Sequence, residues 1–536
     1  MSTHLAEETH AHTRRFFSGT LLSRLSGYGR DFAMAICFGD HPSIASFMIA
    51  FRIANLLRRL VAEGPFQSSF IPYFEGLRLQ NPANAIASFR KLSAFFLSIL
   101  LIVVIAAEIS TQLLFLSDTI SPEKREIVHL SRILFPSILF ICLYGMNSSL
   151  LQCYGHFFLS GIAPAVLNVV WIVATFFLRN HHPSFAMEIL AGCIVLGFAT
   201  QWAFTLPTTL RYSSAPFKEW IPLRFPSELK HLLTSFSLIA IGIGAAQVNA
   251  FIDALFAKAA HPSGPVYLWY AFRMEQLALA IFGIACVTTI VPKLSHYIKG
   301  GDFANARFLF SFSFQRIISI MIPCTFAILM LGGSALNLSY GRGQFSQEAL
   351  VRTTMCLWAY ALGLLPSAMT ILYSSLFYAQ GHFRFPTRIS LISIAVHISL
   401  NIFFILVLHL GATSIALSTS ISAWLQYVAL QKRAATMGWT STMHFSRVLF
   451  IIAASLVASF SVLVVYAWLQ NLSLIIELPT HFFARTFTRQ AIEFLLPAFT
   501  FLLALFFFAI STRNKDLLEV FRFFFGRSLL RKINLQ

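Results

Sequence analysis

The sequence predicts an all-α, polytopic membrane protein of about fourteen spans: two pseudo-symmetric six-helix lobes followed by a C-terminal helix pair. Three observations carry that prediction. Of the 536 residues, 57% are hydrophobic and 11% charged, with a mean hydropathy of +0.72, a balance outside the range of soluble domains. Apolar runs of about 20 residues, the length that crosses a bilayer core, recur from end to end and leave no polar stretch long enough to fold alone. Two segment pairs also echo between the halves: FPSILFICLYGMNSSLLQCYGHF at 135–157 with LPSAMTILYSSLFYAQGHF at 365–383, and SSFIPYFEGL around Pro72 with TTIVPKLSHY around Pro292. A soluble enzyme is excluded.

The apolar windows fall near 17–38, 43–62, 92–116, 129–152, 160–178, 186–210, 231–256, 265–292, 308–330, 350–378, 389–408, 411–430, 448–469 and 490–511. Read with the internal echo, residues 1–210 form the first lobe and 231–430 the second. A cytoplasmic linker, 211–230, joins them, spans 13 and 14 occupy 431–511, and a basic cytoplasmic tail follows at 512–536. Lobes of common ancestry are a plan that transporters use to place a site between them.

Orientation follows from the positive-inside rule. The segments on the side that holds both termini collect 23 Lys and Arg, and the opposite side collects seven. Both termini are therefore predicted cytoplasmic. The net charge of +18 is read as this topology signal and not as a nucleic-acid-binding face. The seven cysteines (Cys37, Cys142, Cys153, Cys193, Cys286, Cys324, Cys356) lie in or beside apolar runs without a CxxC pair, so they read as small core residues and no metal site is expected. The N-terminal segment lacks an apolar core with a small-residue cleavage site, so no removable signal peptide is expected.

Nine basic residues fall in or at the margins of spans, and several of them carry the chemistry. An arginine at a span centre costs roughly 2.5–3.5 kcal/mol on insertion scales and so tends to face a cavity or a fixed anion. Arg24 and Arg30 on span 1 are six residues apart, which leaves them about 120° apart around the helix. Asp31 follows Arg24 by seven residues, nearly two turns, and reads as its local counter-ion. Asn55-Leu-Leu-Arg58-Arg59 ends span 2, with Glu63 just beyond, and Arg273 lies on span 8. Guanidinium forks grip phosphate oxygens bidentately, so a diphosphate is the natural guest of such a set. Arg58 and Arg59 also fit simple snorkelling to the interface; Arg52 fits a polar stripe of span 2, and Arg132, Arg316 and Arg352 fit flanking anchors.

Neither a P-loop, nor GxGxxG after a strand, nor HExxH, nor GxSxG is present, so neither ATP hydrolysis nor a familiar enzyme site is expected. No cofactor is expected, and energy would come from Na⁺ or H⁺ coupling or from the membrane potential. Asp253 on span 7, with Asn401 on span 11 and Thr419 on span 12, makes a candidate cation set; a helix–helix hydrogen bond explains these residues equally well.

The runs SRLSGYGRD (23–31) and FRIANLLRRLVAEGPFQSSFIP (51–72), with YAFRMEQLALAIFGIACVTTIVPKLS, YGRGQF, LFYAQGHFRFPTRIS and GATSIALSTS further on, resemble the MurJ/MviN lipid II flippases of the MOP exporter superfamily. The resemblance implies a bacterial inner-membrane flippase. It would turn lipid II, the undecaprenyl-diphosphate-linked disaccharide-pentapeptide of peptidoglycan synthesis, from the cytoplasmic to the periplasmic leaflet by alternating access. It places the family's essential cavity arginines on Arg24, Arg30 and Arg273, its NLLRR pair on Arg58 and Arg59, and its gate glutamate on Glu63. Asp31 and Asn55 join the portal set. Membrane lipids, and cell-wall synthesis and division proteins, are the expected partners besides lipid II. The chain departs from the pattern at Ile44-Ala45-Ser46-Phe47 and at Phe272, where many members carry acids, and at Ile405, where sodium-binding members carry a second carboxylate. The rival readings are an exporter of another lipid-linked oligosaccharide, a drug or organic-ion antiporter of the same superfamily, a membrane enzyme acting on polyprenyl phosphates, and a scaffold for the cell-wall machinery.

Overall fold

The computed structural model describes residues 2–61, 65–116, 121–213, 247–284, 287, 290–441, 443–475, 486–512, 514, 516–518 and 521. Among these residues all regular structure is helical. The chain divides into two compact units, 1–255 and 256–536. Most of the expected inter-lobe linker and most of span 7 lie outside the described residues; 211–213 are the end of α8.

The first unit contains α1 (Ser2–Phe38), α2 (Pro42–Val61), α3 (Pro65–Gln80), α4 (Pro82–Phe115), α5 (Pro122–Leu134), α6 (Ser137–Cys153), α7 (Phe157–Leu178), α8 (Pro183–Ser213) and the larger part of α9 (247–260). Packing runs α1 on α7, α7 on α8, α6 on α8 and α2 on α5. In the second unit, α10 (Gly264–Ala278) continues into a π-helical turn, Leu279–Ile284. There follow α11 (Val291–Lys299), α12 (Phe303–Tyr340), α13 (Gln347–Ala361), α14 (Leu364–Ala379) and α15 (Arg384–Ile402), which also runs into a π-helical turn, Phe403–Val407. Helices α16 (Thr413–Thr436), α17 (Phe445–Ile475) and α18 (Phe487–Ser511) complete it. Here α16 packs against α13, α14 and α15, while α17 and α18 pack on each other and on α12.

Among the described residues, seven helices are long and apolar enough to cross a bilayer, and two bent pairs raise the number to nine. The helices that carry Arg24, Arg52, Asp253 and Arg273 are not in that set; the one with Arg273 is 15 residues long, and the described part of the one with Asp253 is 247–260. Outward-facing Ile102, Ile105, Ile109 and Leu113 on α4 are exposed, as lipid requires. The predicted span near 92–116 belongs to a helix that begins ten residues earlier, at Pro82. Its cap is Asn81, whose side-chain oxygen accepts the backbone N–H groups of Ala83 and Asn84 at 3.0 and 3.2 Å. An apolar window sees the greasy stretch and not the cap.

The predicted single spans near 129–152 and 350–378 are each a bent pair: α5 and α6 meet at 42°, α13 and α14 at 41°. The bends fall beside the Pro-Ser signals of the sequence echo, where a ring without an N–H cannot continue the ladder. The echo also closes alike. Gly155 and Gly381 take φ of 79° and 78°, and the next residue's N–H, on His156 or His382, bonds back to the carbonyl of Leu151 or Phe377, each at 2.8 Å. That six-to-one bond across a left-handed residue is a helix stop that glycine adopts without strain. A further echo surfaces at His-Pro-Ser, 41–43 and 261–263. In each, the histidine Nδ1 accepts the serine backbone N–H, at 3.2 and 3.1 Å, just before a helix that carries Ala-Phe-Arg, with Arg52 in one unit and Arg273 in the other.

Candidate functional site

In the first unit, α1 and α7 approach closely enough that a Cβ on Gly19 would stand 2.9 Å from the carbonyl oxygen of Phe158. Small residues at such crossings let polar side chains reach across between membrane helices. Asn168 on α7 does so: its Nδ2 donates to Ser26 Oγ at 2.9 Å and to the Ser23 carbonyl at 3.3 Å, while its Oδ1 accepts from Arg30 Nη1 at 3.2 Å. Ser23, Ser26 and Arg30 share one helix face, three and four residues apart. Arg30 Nε and Nη2 both donate to Asp31 Oδ1, at 3.1 and 2.8 Å, and the guanidinium lies over the Trp171 ring at 4.6 Å. Trp171 is held in turn by edge contacts with Phe47 and Phe51 of α2, at 5.7 and 5.0 Å. Arg30 and Asp31 are both buried.

Arg24 is exposed, about 120° around α1 from buried Arg30. The structure corrects the expectation for Asp31, whose carboxylate bonds to Arg30 and not to Arg24. Seven residues of helix separate Arg24 from Asp31 by about 10.5 Å of axial rise, beyond direct reach, whereas the long arginine side chain easily spans the angular offset to its immediate neighbour. Asn55 is half-buried on α2. Arg58 and Arg59 lie near the end of α2 with their side chains outside the described residues, and Glu63 is outside them altogether. Arg52 Nη1 donates to the backbone carbonyl of Ala250 on α9, the helix that carries buried Asp253.

In the second unit Arg273 is exposed on α10, with its guanidinium 4.9 Å from the Trp269 ring one turn back. Two residues on, Glu275 is buried and accepts Gln276 Nε2 at 3.0 Å. Asn401 is buried on α15, 3.0 Å from the Nε2 of buried His397 one turn earlier, and Thr419 Oγ1 donates to the carbonyl of Ile415 on its own helix. Among the described residues, His, Cys, Asp and Glu form no group of three that could hold a metal ion. Sequence reasoning missed Asn168, Trp171 and His397. The available signal was a polar or amphipathic side chain inside an otherwise apolar run, which has to find a partner there. For Arg52, the repeated Ala-Phe-Arg was the signal.

The family model described as lipid II flippase MurJ matches residues 34–488. The chain belongs to the MurJ family. Among relatives of this family, the probable lipid II flippase MurJ of Chlamydia trachomatis is 32% identical over 413 residues, 77% of this chain and 76% of that one. The Chlamydia pneumoniae counterpart is 28% identical over 517 residues, 95% and 94% of the two chains. A solved lipid II flippase MurJ in an inward closed conformation superposes with a TM-score of 0.75 at 21% identity, covering 93% of this chain and 99% of that one. An inward-facing multidrug resistance MATE transporter of the MOP superfamily gives 0.61 at 14% identity, covering 77% and 96%. This MurJ-family chain therefore has the helical membrane fold shared by flippases and multidrug exporters, which are transporters and not enzymes.

Proposed function

We propose that this protein flips lipid II from the cytoplasmic to the periplasmic leaflet of the bacterial inner membrane by alternating access, with both termini cytoplasmic. The observation that carries the reading is family membership over most of the chain, and the exposed Arg24 on α1 and Arg273 on α10 agree with it. Arg24, Arg273 and the helix-end pair Arg58 and Arg59 supply the cations for the diphosphate. Arg30, fixed by Asp31, Asn168 and Trp171, contributes its charge from a set position. Compensating the guest's charge is what makes its passage feasible, because an unpaired anion in a low-dielectric medium is very costly. Asn55 and Glu63 are assigned to the cytoplasmic portal on the family resemblance, and the isoprenoid tail would stay in lipid. A drug or organic-cation exporter would need acidic residues in the same positions.

The test is rescue of a bacterium depleted of its own lipid II flippase, comparing the parent with Arg24→Ala, Arg273→Ala and Arg24→Lys at equal membrane levels. The parent rescues growth, the alanine variants lyse, and lysine at 24 restores part of the function because it keeps the charge and loses the fork. Equal rescue by the alanine variants would remove the arginines from the mechanism. Failure of the inserted parent would point to another lipid-linked substrate.

A further inference from the structure

Helices α15 and α16 run antiparallel with a polar seam between them. Two contacts set the register: Ser393 Oγ donates to the Ser422 carbonyl at 3.0 Å, and the Arg433 guanidinium lies 5.8 Å from the Phe385 ring. Moving along from these anchors, Ser393, His397 and Asn401 recur every four residues on α15, while Ser422, Ser418 and Ser414 recur every four on α16, and extending the antiparallel register pairs His397 with the level of Ser418 and Asn401 with that of Ser414. All six are buried. The opposite face of α16 is separately engaged with α13, through Ser420 Oγ to the Ala359 carbonyl and the contact between Thr413 and Cys356. The α15 face is thus a distinct polar seam inside a hydrophobic helix pair.

A buried histidine in a membrane span is costly unless it has a use. The bond between His397 and Asn401 suits both protonation states of the ring. A carboxamide donates through its NH₂ to the neutral imidazole, and after a half-turn its oxygen accepts from the imidazolium. The chemistry favours a proton over a metal cation, since hard cations such as Na⁺ need a set of oxygens and an imidazole nitrogen is a poor ligand for them. Neither α14, α15, α16 nor the π-helical turn after α15 contains a carboxylate. Their other ionisable groups are Tyr373, Tyr378, Arg384, Arg388, Tyr427, Lys432 and Arg433, all toward the end of the seam that begins α15. Past Asn401 the seam leads into the π-helical turn Phe403–Val407 and then to His409, an exposed histidine at φ 52°. Such π-turns recur at functional sites.

We propose that His397, bonded to Asn401 within the α15–α16 pair, is a proton-binding site through which this carrier couples its cycle to a transmembrane proton gradient. One proton from the aqueous phase on the His409 side, periplasmic in the proposed topology, converts the imidazole to imidazolium. The same proton leaves to the other side later in the cycle, so that charge and protons balance. What the proton drives rests on the lipid II reading; the existence of the site does not.

The test has two arms. In lipid-free detergent, thermal unfolding of the parent is compared with His397→Gln, which keeps a hydrogen-bonding amide but cannot titrate, and with the shorter His397→Asn. The difference in Tm between parent and variants should change by several degrees between pH 5.5 and 8.5; a difference constant across that range means the ring never titrates and overturns the proposal. In proteoliposomes with the potential clamped at zero, flipping of lipid II by the parent should differ severalfold between opposite one-unit pH gradients, and in the variants it should not. A parent indifferent to the pH gradient, a variant that still responds to it, or a response to a Na⁺ gradient in its place would each overturn the coupling. Absence of any flipping by the parent would count against the lipid II reading, and the unfolding arm would then decide the proton site by itself.

Discussion

Replacing Asp31 with alanine should destabilise the first unit more than any other single polar change there. The Arg30 and Asp31 side chains are 9% and 5% exposed, so water cannot replace the lost partner, and two guanidinium bonds, at 3.1 and 2.8 Å, disappear together. Removing one member of a buried pair costs about 3–5 kcal/mol because the other charge stays buried and uncompensated. The bond to Asn168 and the Trp171 face remain; a hydrogen bond to a charged group is worth about 1.5–3 kcal/mol and a cation–π contact about 0.5–2 kcal/mol. The lower end, about 3 kcal/mol, is therefore expected. Equilibrium unfolding in mixed detergent micelles measures it, and the double variant Arg30→Leu with Asp31→Ala supplies the control, since removing both charges should recover most of the loss. A cost below about 1 kcal/mol, or a double variant as unstable as the sum of the two singles, would refute the buried-pair reasoning.

Other expectations follow from separate contacts. Gly19→Val should part α1 from α7 and lower stability by about 1–3 kcal/mol, read by the same unfolding measurement, because even the first added carbon meets the Phe158 carbonyl at 2.9 Å. Gly155→Ala and Gly381→Ala should each cost about 1–2 kcal/mol, and nearly the same amount, since the two left-handed stops match within a degree of φ. At the cap of α12, Asp302 lies outside the spans, and bonds from the Asn305 side chain and backbone N–H hold its carboxyl below the usual carboxylate range. Stability from a lowered carboxyl is complete above the unfolded value of about 3.9 and is lost as pH falls through the lower folded value. The difference in melting temperature between the parent and Asp302→Ala should accordingly be flat from pH 8 to 5 and shrink below pH 4.

Hydropathy made the membrane fold legible, because a bilayer admits few ways of satisfying a backbone and apolar length reports one of them directly. The backbone events at the echoed segments were legible too. The Pro-Ser and Gly-His-Phe signals there mark two bends of 42° and 41° and two left-handed stops, and backbone events depend on residues close in sequence. Helical arithmetic put Arg24 and Arg30 about 120° apart on α1, and the structure shows that Arg24 is exposed and Arg30 buried. What periodicity could not supply was partnership. Asp31 shares a face with Arg24 by angle, yet axial rise keeps them apart and a flexible arginine closes the smaller gap to its neighbour.

The sequence by itself determined that this is a helical membrane carrier of the MurJ family, with cations placed where lipid-facing chemistry would forbid them. Only the tertiary structure decided which of those cations is clamped. Asn168 lies 138 positions from Arg30, and the packing of α7 on α1 brings the two together. It likewise decided that Asn401 belongs to a histidine and to a seam of serines on the next helix. Hydrogen bonds between helices are fixed by crossing distance and register, and those are properties of packing that no local stretch of residues encodes.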